Sequence, residues 1–301
     1  MINQPLVSVL MTAYNREQFI ADAIESVLAQ TYTNFELIIV DDCSIDNTVE
    51  IVKQYARINN RIKLFENEIN LGDYPNRNKA ASYASGELFK YLDSDDIIYP
   101  NTLKIMVEYY LLFPNVGFIF SDYLNQDNSK PYPILYSPYE SYYQHFLKSS
   151  LFYAGPGGAL IPRKVFVEAG GFSTHRHISD TELWMKISLK YSILKIQNSL
   201  IWWRTHEHQE SIIESRNYNS TVSRHNMSIK YLEESCLSEN EKKNAKSIVK
   251  KIMARRLFFL LGTFKFSKFY SIYKKVHFNF VDLFLAFSFK NRWKKIFNTH
   301  E

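Results

Sequence analysis

Phe35-Glu36-Leu37-Ile38-Ile39-Val40-Asp41-Asp42 is the stretch on which the fold is decided. Its apolar residues are consecutive, not alternating, which is the pattern of a strand covered on both faces. Upstream, Leu6-Val7-Ser8-Val9-Leu10-Met11-Thr12 is a second such run, closed by Ala13-Tyr14-Asn15 as a turn. Between the two, Phe19, Ile20, Ala23, Ile24, Val27 and Leu28 recur at helical spacing over residues 16–30. Downstream, Asp46-Asn47-Thr48 opens a helix with Val49, Val52 and Tyr55 on one face. The alternation then continues with strands over 61–66, 88–92 and 116–120 and helices over 75–84 and 100–113. This rhythm predicts an α/β fold with a mainly parallel sheet flanked by helices. In such sheets ligands gather at the carboxyl ends of the strands. Thr12, Tyr14, Asp41, Asp42, Asp93, Ser94, Asp95 and Asp96 all fall there.

After Ser121 the pattern loosens. Lys130-Pro131-Tyr132-Pro133 and Ser137-Pro138-Tyr139 read as loop, and Gly155-Pro156-Gly157-Gly158 leads into a short apolar segment, Ala159-Leu160-Ile161. Residues 181–191 form an amphipathic helix, and from about Glu214 the chain reads as nearly continuous helix. The 301 residues accommodate two domains, expected at 1–215 and 216–301. Nine Gly and nine Pro without a tract exclude collagen-like and long low-complexity chains. Two cysteines, Cys43 and Cys236, exclude a disulfide scaffold and a cysteine-based zinc cluster, and fit a reducing compartment. No basic region precedes the first apolar run, and no uncharged run approaches the roughly 18–20 residues that span a bilayer. A cytoplasmic protein is expected.

Asp93-Ser94-Asp95-Asp96 places three carboxylates in four residues at a strand end. Such a cluster needs solvent, basic partners or a cation. Mg²⁺ or Mn²⁺ suits it, because a hard ion is held by one or two carboxylates plus substrate phosphates; a solvated turn capping the next helix is the plainer alternative. Asp41-Asp42 allows either a ligand contact or a helix cap, with Ser44 or Asp46 as the capping residue. Arg77 is placed to pair with Asp42 or to contact a nucleotide, or else is an ordinary surface arginine. Asp180 opens a helix, where the macrodipole favours its ionised form, and can serve as a cap or as a general base. Glu182 lies elsewhere around that helix. His206 ends Trp202-Trp203-Arg204-Thr205-His206 and is a candidate cation ligand, with His175, His177 and His208 as rivals.

Taken in order, these stretches resemble glycosyltransferase family 2, the inverting enzymes of GT-A fold, in the type that builds bacterial surface polysaccharides. The resemblance runs from about Pro5 to Gln209 through 7–15, 26–32, 35–44, Asn70-Leu71-Gly72, Arg77-Asn78 and the Asp93-Ser94-Asp95 motif. It implies a donor-nucleotide site of Thr12, Ala13, Tyr14, Asp42, Arg77, Asp93 and Ser94. It implies Asp95, with His206, as ligands of Mn²⁺ or Mg²⁺, and Asp180 as the base that deprotonates an acceptor hydroxyl. The family often has Glu-Asp where this chain has Ser179-Asp180. The implied activity is metal-dependent transfer of a hexosyl or N-acetylhexosaminyl group from a nucleotide-diphosphate donor, a UDP-sugar by family preference, to a glycan or lipid-linked acceptor. A sugar nucleotidyltransferase is the enzymatic alternative, but Thr12-Ala13-Tyr14-Asn15-Arg16 lacks the Gly-rich basic loop it needs. A catalytically silent nucleotide-sugar-binding scaffold is the other.

The formal charge of +5 conceals a split. Residues 242–301 carry 15 Lys+Arg against two acids, while the remaining 241 residues are net acidic. The same tail holds 14 aromatic residues, among them Phe258, Phe259, Phe264, Phe266, Phe269, Tyr270, Phe284, Phe287 and Trp293. Basic helices with an aromatic face suit an anionic membrane surface, which predicts a peripheral association through 242–301 on the inner face of the cytoplasmic membrane. Packing of the aromatics within the protein is the alternative. No RNA-binding motif accompanies the basic tail, so no nucleic-acid partner is expected.

Overall fold

The computed structural model describes residues 4–121, 130–206, 220–276, 278, 282 and 283. Strands β1 (Val7–Ala13), β2 (Phe35–Asp41), β3 (Ile62–Glu66) and β4 (Leu88–Asp93) lie in the order β3-β2-β1-β4 and pair in parallel. Every residue of β2 is buried, as the consecutive apolar residues Leu37 to Val40 lead one to expect, and Glu36 and Asp41 are buried with them. Helix α1 (Ile20–Leu28) turns Ile20, Ala23, Ile24 and Val27 onto one face of this sheet, against Val7, Val9 and Met11 of β1. α2 (Thr48–Ile58) contributes Val52 to the same core, and α4 (Thr102–Leu112) contributes Leu103, Met106 and Val107. Fully burying each Leu, Ile or Val side chain stabilises the fold by about 1.5–3 kcal/mol.

Alternate residues face the other side. There Phe89 and Tyr91 of β4 meet Phe166 and Phe172, and the Tyr91 hydroxyl donates to the Arg77 carbonyl of α3 (Asp73–Tyr83) at 3.2 Å. Glu36 of β2 is also buried on this side, beside Ser8 of β1.

β5 (Ile97–Ile98) leaves the main sheet. The sheet continues from β4 through β8 (Ala159–Pro162), β6 (Ile119–Ser121), β9 (Ile193–Ile196) and β7 (Ile134–Tyr136), giving eight strands in all. β8 runs antiparallel to both β4 and β6, β7 runs antiparallel to β9, and β6 and β9 are parallel. The sheet is therefore parallel through its first half and mixed beyond. Gly158, just before β8, comes so close to β6 that a Cβ there would lie 2.6 Å from the Ser121 carbonyl oxygen. α5 (Pro138–Tyr143), α6 (Arg163–Glu168) and α7 (Ser179–Ser188) connect these strands. β10 (Ile201–Trp202) forms a separate antiparallel ribbon with β5.

The chain divides into two compact units, Met1–Tyr218 with Glu234–Leu237, and Asn219–Glu233 with Ser238–Glu301. The second is helical in its described part: α8 (Thr221–Glu234), α9 (Glu239–Gly262) and α10 (Phe266–Lys275). α9 starts at a capping box in which Ser238 and Glu241 satisfy each other's backbone N–H groups. Met253, Ala254, Leu257 and Leu260 are its buried stripe. No described helix is long and apolar enough to cross a membrane. Phe284, Phe287 and Trp293 of the tail lie outside the described residues, as does His208.

Candidate active site

The carboxyl ends of β2, β1 and β4 stand side by side: Thr12 neighbours Val40 and Asp93, and Ala13 neighbours Asp41. The loops that leave them are locked together. Asn15 N–H donates to Ser44 Oγ at 2.9 Å, Asn15 Oδ1 accepts from Ile45 N–H, and Arg16 N–H donates to Thr48 Oγ1 at 2.7 Å. Asp41 turns inward to accept from Ser44, and Asp46 accepts from the Thr48 backbone and hydroxyl at the start of α2. The capping work near this loop thus falls to Asp46. Tyr14 stays 46% exposed at the rim, while Ala13 is buried and its carbonyl accepts from Asp42 N–H.

Asp42 is buried, and its carboxylate does not meet Arg77. Its Oδ1 accepts from Asn67 Nδ2 at 2.7 Å and Leu71 N–H at 2.8 Å, and its Oδ2 from Gly72 N–H at 2.8 Å. Gly72 can present that N–H because its φ of +82° is open to glycine at little cost. Of the alternatives for Arg77, pairing with Asp42 is therefore not the one adopted, and the Asp42 carboxylate instead shapes the turn into α3. Arg77, one turn into that helix, is buried and reaches two other acids: Nε donates to Asp73 Oδ1 and Nη2 to Asp93 Oδ1, each at 2.6 Å. Burial works against its charge, but Asp73 and Asp93 hold the guanidinium firmly protonated. Its Nη1 is buried with no hydrogen-bond partner among the described residues.

Past Asp93 the chain turns through Ser94, which is buried, to Asp95 and Asp96. Asp95 Oδ2 lies 2.9 Å from His206 Nε2 and 3.3 Å from Arg16 Nε. The β5–β10 ribbon brings His206 here, and its ring stacks on Phe19 with centroids 5.0 Å apart. Arg204 secures the crossing. Its N–H donates to Asp96 Oδ1 at 3.0 Å, its Nε to the Asp95 carbonyl at 2.9 Å and its Nη2 to Asp22 Oδ2 of α1 at 2.8 Å. Its guanidinium also lies over the Phe19 and Trp202 rings. Burial, reinforced by Asp93 and Asp95, pushes the Asp96 carboxyl well above the usual carboxylate range. Beneath, Lys90 is fully buried, donates to the Tyr91 and Gly157 carbonyls, and is pulled down to about 7 by that burial.

Asp180 sits in the first turn of α7, and its carboxylate accepts from Thr181 N–H at 2.6 Å. Its backbone bonds to the hydroxyl of Tyr74, whose titration is pushed well up by burial and by the charges of Asp180 and Asp73. Tyr74 is thus the link between Asp180 and the helix that carries Arg77. Ser179 is buried and donates to the Ser173 carbonyl, fixing the loop before α7. Glu182 is buried against His175, 2.9 Å away.

The sequence points to Asp93, Asp95, Arg77, His206 and Asp180, and the structure brings Arg77 to Asp93 and His206 to Asp95. Arg16, Phe19 and Arg204 are additions. Arg204 carries a signal in sequence only as the basic residue two before His206, and Arg16 only as the residue after the first turn.

Among the described residues no three His, Cys, Asp or Glu side chains cluster as a complete metal cage. The Asp95–His206 pair nevertheless fits a hard divalent ion that draws its remaining ligands from a diphosphate and water.

The arrangement of the chain has known relatives. A region 28% identical to an uncharacterized glycosyltransferase of Haemophilus influenzae covers 74% of this chain and 72% of that protein. A region 39% identical to the UDP-Glc:alpha-D-GlcNAc-diphosphoundecaprenol beta-1,3-glucosyltransferase WfgD of Escherichia coli covers 48% of this chain and 56% of the relative, so that match spans about half the length of either protein. Among solved structures, S. aureus TarS 1-349 in complex with UDP-GlcNAc superposes with a TM-score of 0.62 at 23% identity, over 84% of this chain and 73% of that one. The mannosyltransferase PcManGT of Pyrobaculum calidifontis, in complex with GDP-Man and Mn²⁺, does so at 0.60 and 16% identity, over 95% of this chain and 86% of that one. These likenesses establish the GT-A fold. The family model for glycosyl transferase family 2 matches residues 8–170, more than half of the chain. This chain belongs to glycosyl transferase family 2.

Proposed function

We propose that this glycosyltransferase moves a hexosyl or N-acetylhexosaminyl group from a UDP-sugar to a hydroxyl of a glycan or lipid-linked acceptor, with inversion at the anomeric carbon. The observation that carries this reading is the Asp95–His206 pair at the end of β4, beside Arg77 locked onto Asp93. We assign this machinery to residues 1–215, and the basic, aromatic-rich region of the chain to 216–301. Tyr14, exposed at the rim, offers a ring to the base, and Thr12, Ala13 and Ser94 line the floor of the nucleotide site. Asp42 keeps one acceptor site on Oδ2 for the nucleotide while holding the turn before α3. The unpartnered Nη1 of Arg77 is a buried donor awaiting an acceptor on the nucleotide, since leaving it unpaired costs about 1–3 kcal/mol or more.

Asp95 and His206 would hold Mn²⁺ or Mg²⁺, which supplies positive charge against the departing diphosphate. Arg16, beside Asp95, adds a fixed positive charge from the protein at the same place. Asp180 takes the proton from the acceptor hydroxyl as its oxygen attacks the anomeric carbon, and the bond to the diphosphate oxygen breaks on the opposite face. Holding donor and acceptor in this order supplies much of the rate. The E. coli relative is named for a diphosphoundecaprenol-linked acceptor, which supports a lipid-linked acceptor and a peripheral position at the cytoplasmic membrane for this chain.

Calorimetric titration with UDP, GDP, TDP and CMP, each with and without Mn²⁺, tests the reading. Mn²⁺-dependent UDP binding is expected in the wild type, lost in Asp95→Ala and kept in Asp180→Asn, with donor turnover abolished in Asp180→Asn. Folded wild-type protein that binds none of the four nucleotides would overturn the proposal.

A further inference from the structure

The α9–α10 turn carries a feature that the donor site does not use. Residues 262–268, Gly-Thr-Phe-Lys-Phe-Ser-Lys, are exposed without a break. Phe264 is 80% exposed and Phe266 57%, their rings packed edge to face with centroids 6.0 Å apart. Phe259 on α9 and Tyr270 on α10 add exposures of 55% and 66%. Phe264 also sits at φ +56°, in the left-handed region that a bulky side chain rarely adopts. The Phe264 N–H donates to the Leu261 carbonyl and the Lys265 N–H to the Leu260 carbonyl, so Phe264 is the left-handed residue that closes α9, a place usually taken by glycine, and its ring is left in solvent.

Along the sequence, the charge of this turn has one sign. Lys265, Lys268, Lys274 and Lys275 are exposed, and no acidic residue occurs between Glu241 and Asp282. The buried side of α10 is supplied by Ile272, with Phe269 and Tyr273 stacked on each other at 5.7 Å. Two classes of partner take exposed aromatics. The core of a protein interface is depleted of lysine. A bilayer interface takes aromatic rings and lysines together, the rings at the acyl boundary and the ammonium groups among anionic headgroups. The interleaving Phe264-Lys265-Phe266-Ser267-Lys268 fits the second.

We infer that the α9–α10 turn is a membrane-docking tip, in which Phe264 and Phe266 enter the interface of an anionic bilayer and Lys265 and Lys268 bind its headgroups. The inference rests on the peripheral membrane placement proposed above and narrows it to one turn. It is independent of the donor site, so the two can fail separately.

The test is co-sedimentation of the full chain with vesicles of phosphatidylcholine containing phosphatidylglycerol, and with vesicles of phosphatidylcholine alone. The wild type should bind the anionic vesicles, and binding should weaken as salt is raised. Phe264→Ser/Phe266→Ser should reduce the partition coefficient at least tenfold, and Lys265→Gln/Lys268→Gln by about thirtyfold. All four residues are exposed, so both variants should keep the wild-type melting temperature and the wild-type UDP titration. Absence of wild-type binding to anionic vesicles overturns the inference, as does equal binding by wild type and both variants. So does a wild-type dimer in solution that the Phe variant converts to a monomer, which would make the tip a subunit interface.

Discussion

His206 Nε2 and Asp95 Oδ2 lie 2.9 Å apart across 111 residues of chain, and Arg16 Nε lies 3.3 Å from the same oxygen. A divalent ion bound by Asp95 therefore meets a nitrogen donor already in place and a guanidinium that opposes it. His206→Ala should lower the affinity of the Mn²⁺-dependent UDP complex by at least about 10-fold, since even a residue that only supports a metal ligand typically costs about 10–100-fold when lost. Chelation of Mn²⁺ from the wild type should have an equal or larger effect. Isothermal titration of both proteins across a Mn²⁺ series reads this directly, and unchanged affinity in the variant would place His206 outside the ion's reach.

Arg77 presents the opposite balance, a buried cation with two acids and one idle donor. Removing the cation strands both acids, but their side chains are 31% and 34% exposed, so solvent screens them and the cost is about 1–2 kcal/mol. Arg77→Met should show a loss of that order in urea unfolding, because Asp73 and Asp93 then lose their cation. Asp93→Asn in the Arg77→Met background should recover part of it, whereas additive losses would mean that the two residues are not coupled.

The parallel half of the fold is legible because β1, β2 and β4 are each long enough for a mostly apolar run, interrupted once by Ser8, Glu36 or Lys90, to declare burial on both faces. The antiparallel entry of β8 is not, since Ala159-Leu160-Ile161 reports burial but no direction. Asp93, Asp95 and Asp180 are legible from their places at element ends. The partners of Asp42 are a different matter. Opposite charge suggests Arg77, but two backbone N–H groups at Leu71 and Gly72 and the Asn67 amide fill that role, and backbone donors carry no residue-type signal. Arg16 and Arg204 escape notice for a related reason: long basic side chains occur all along the chain, and only the loop geometry selects these two.

Gly158 offers a test of the mixed half of the sheet. A Cβ there would sit 2.6 Å from the Ser121 carbonyl oxygen, which belongs to the backbone of β6 and cannot rotate away. Gly158→Ala should therefore force β8 and β6 apart and destabilise the protein by about 1–3 kcal/mol. Gly155→Ala, where a Cβ would meet nothing within 4 Å, is the control and should leave the melting temperature close to wild type.

Glu36 sets the acid limit of the sheet. Burial alone would raise its titration, but hydrogen bonds from Lys63, Ser8 and Ser85 outweigh that and bring the carboxyl down to about 2. In the unfolded chain a glutamate titrates at about 4.3. The folded value is the lower of the two, so the contribution is complete above about pH 4.3 and is lost as the pH falls toward 2. Lys63 is half exposed, which weakens its share, and the total is of order 2 kcal/mol. Glu36→Gln should be less stable than wild type by that amount at neutral pH, and the difference should close as the pH approaches 2. Other groups titrate over the same range, but they are common to both proteins and drop out of the difference. Paired thermal melts from pH 7 to pH 2 give it, and a gap that stayed constant with pH would show that Glu36 acts through packing and not through its charge.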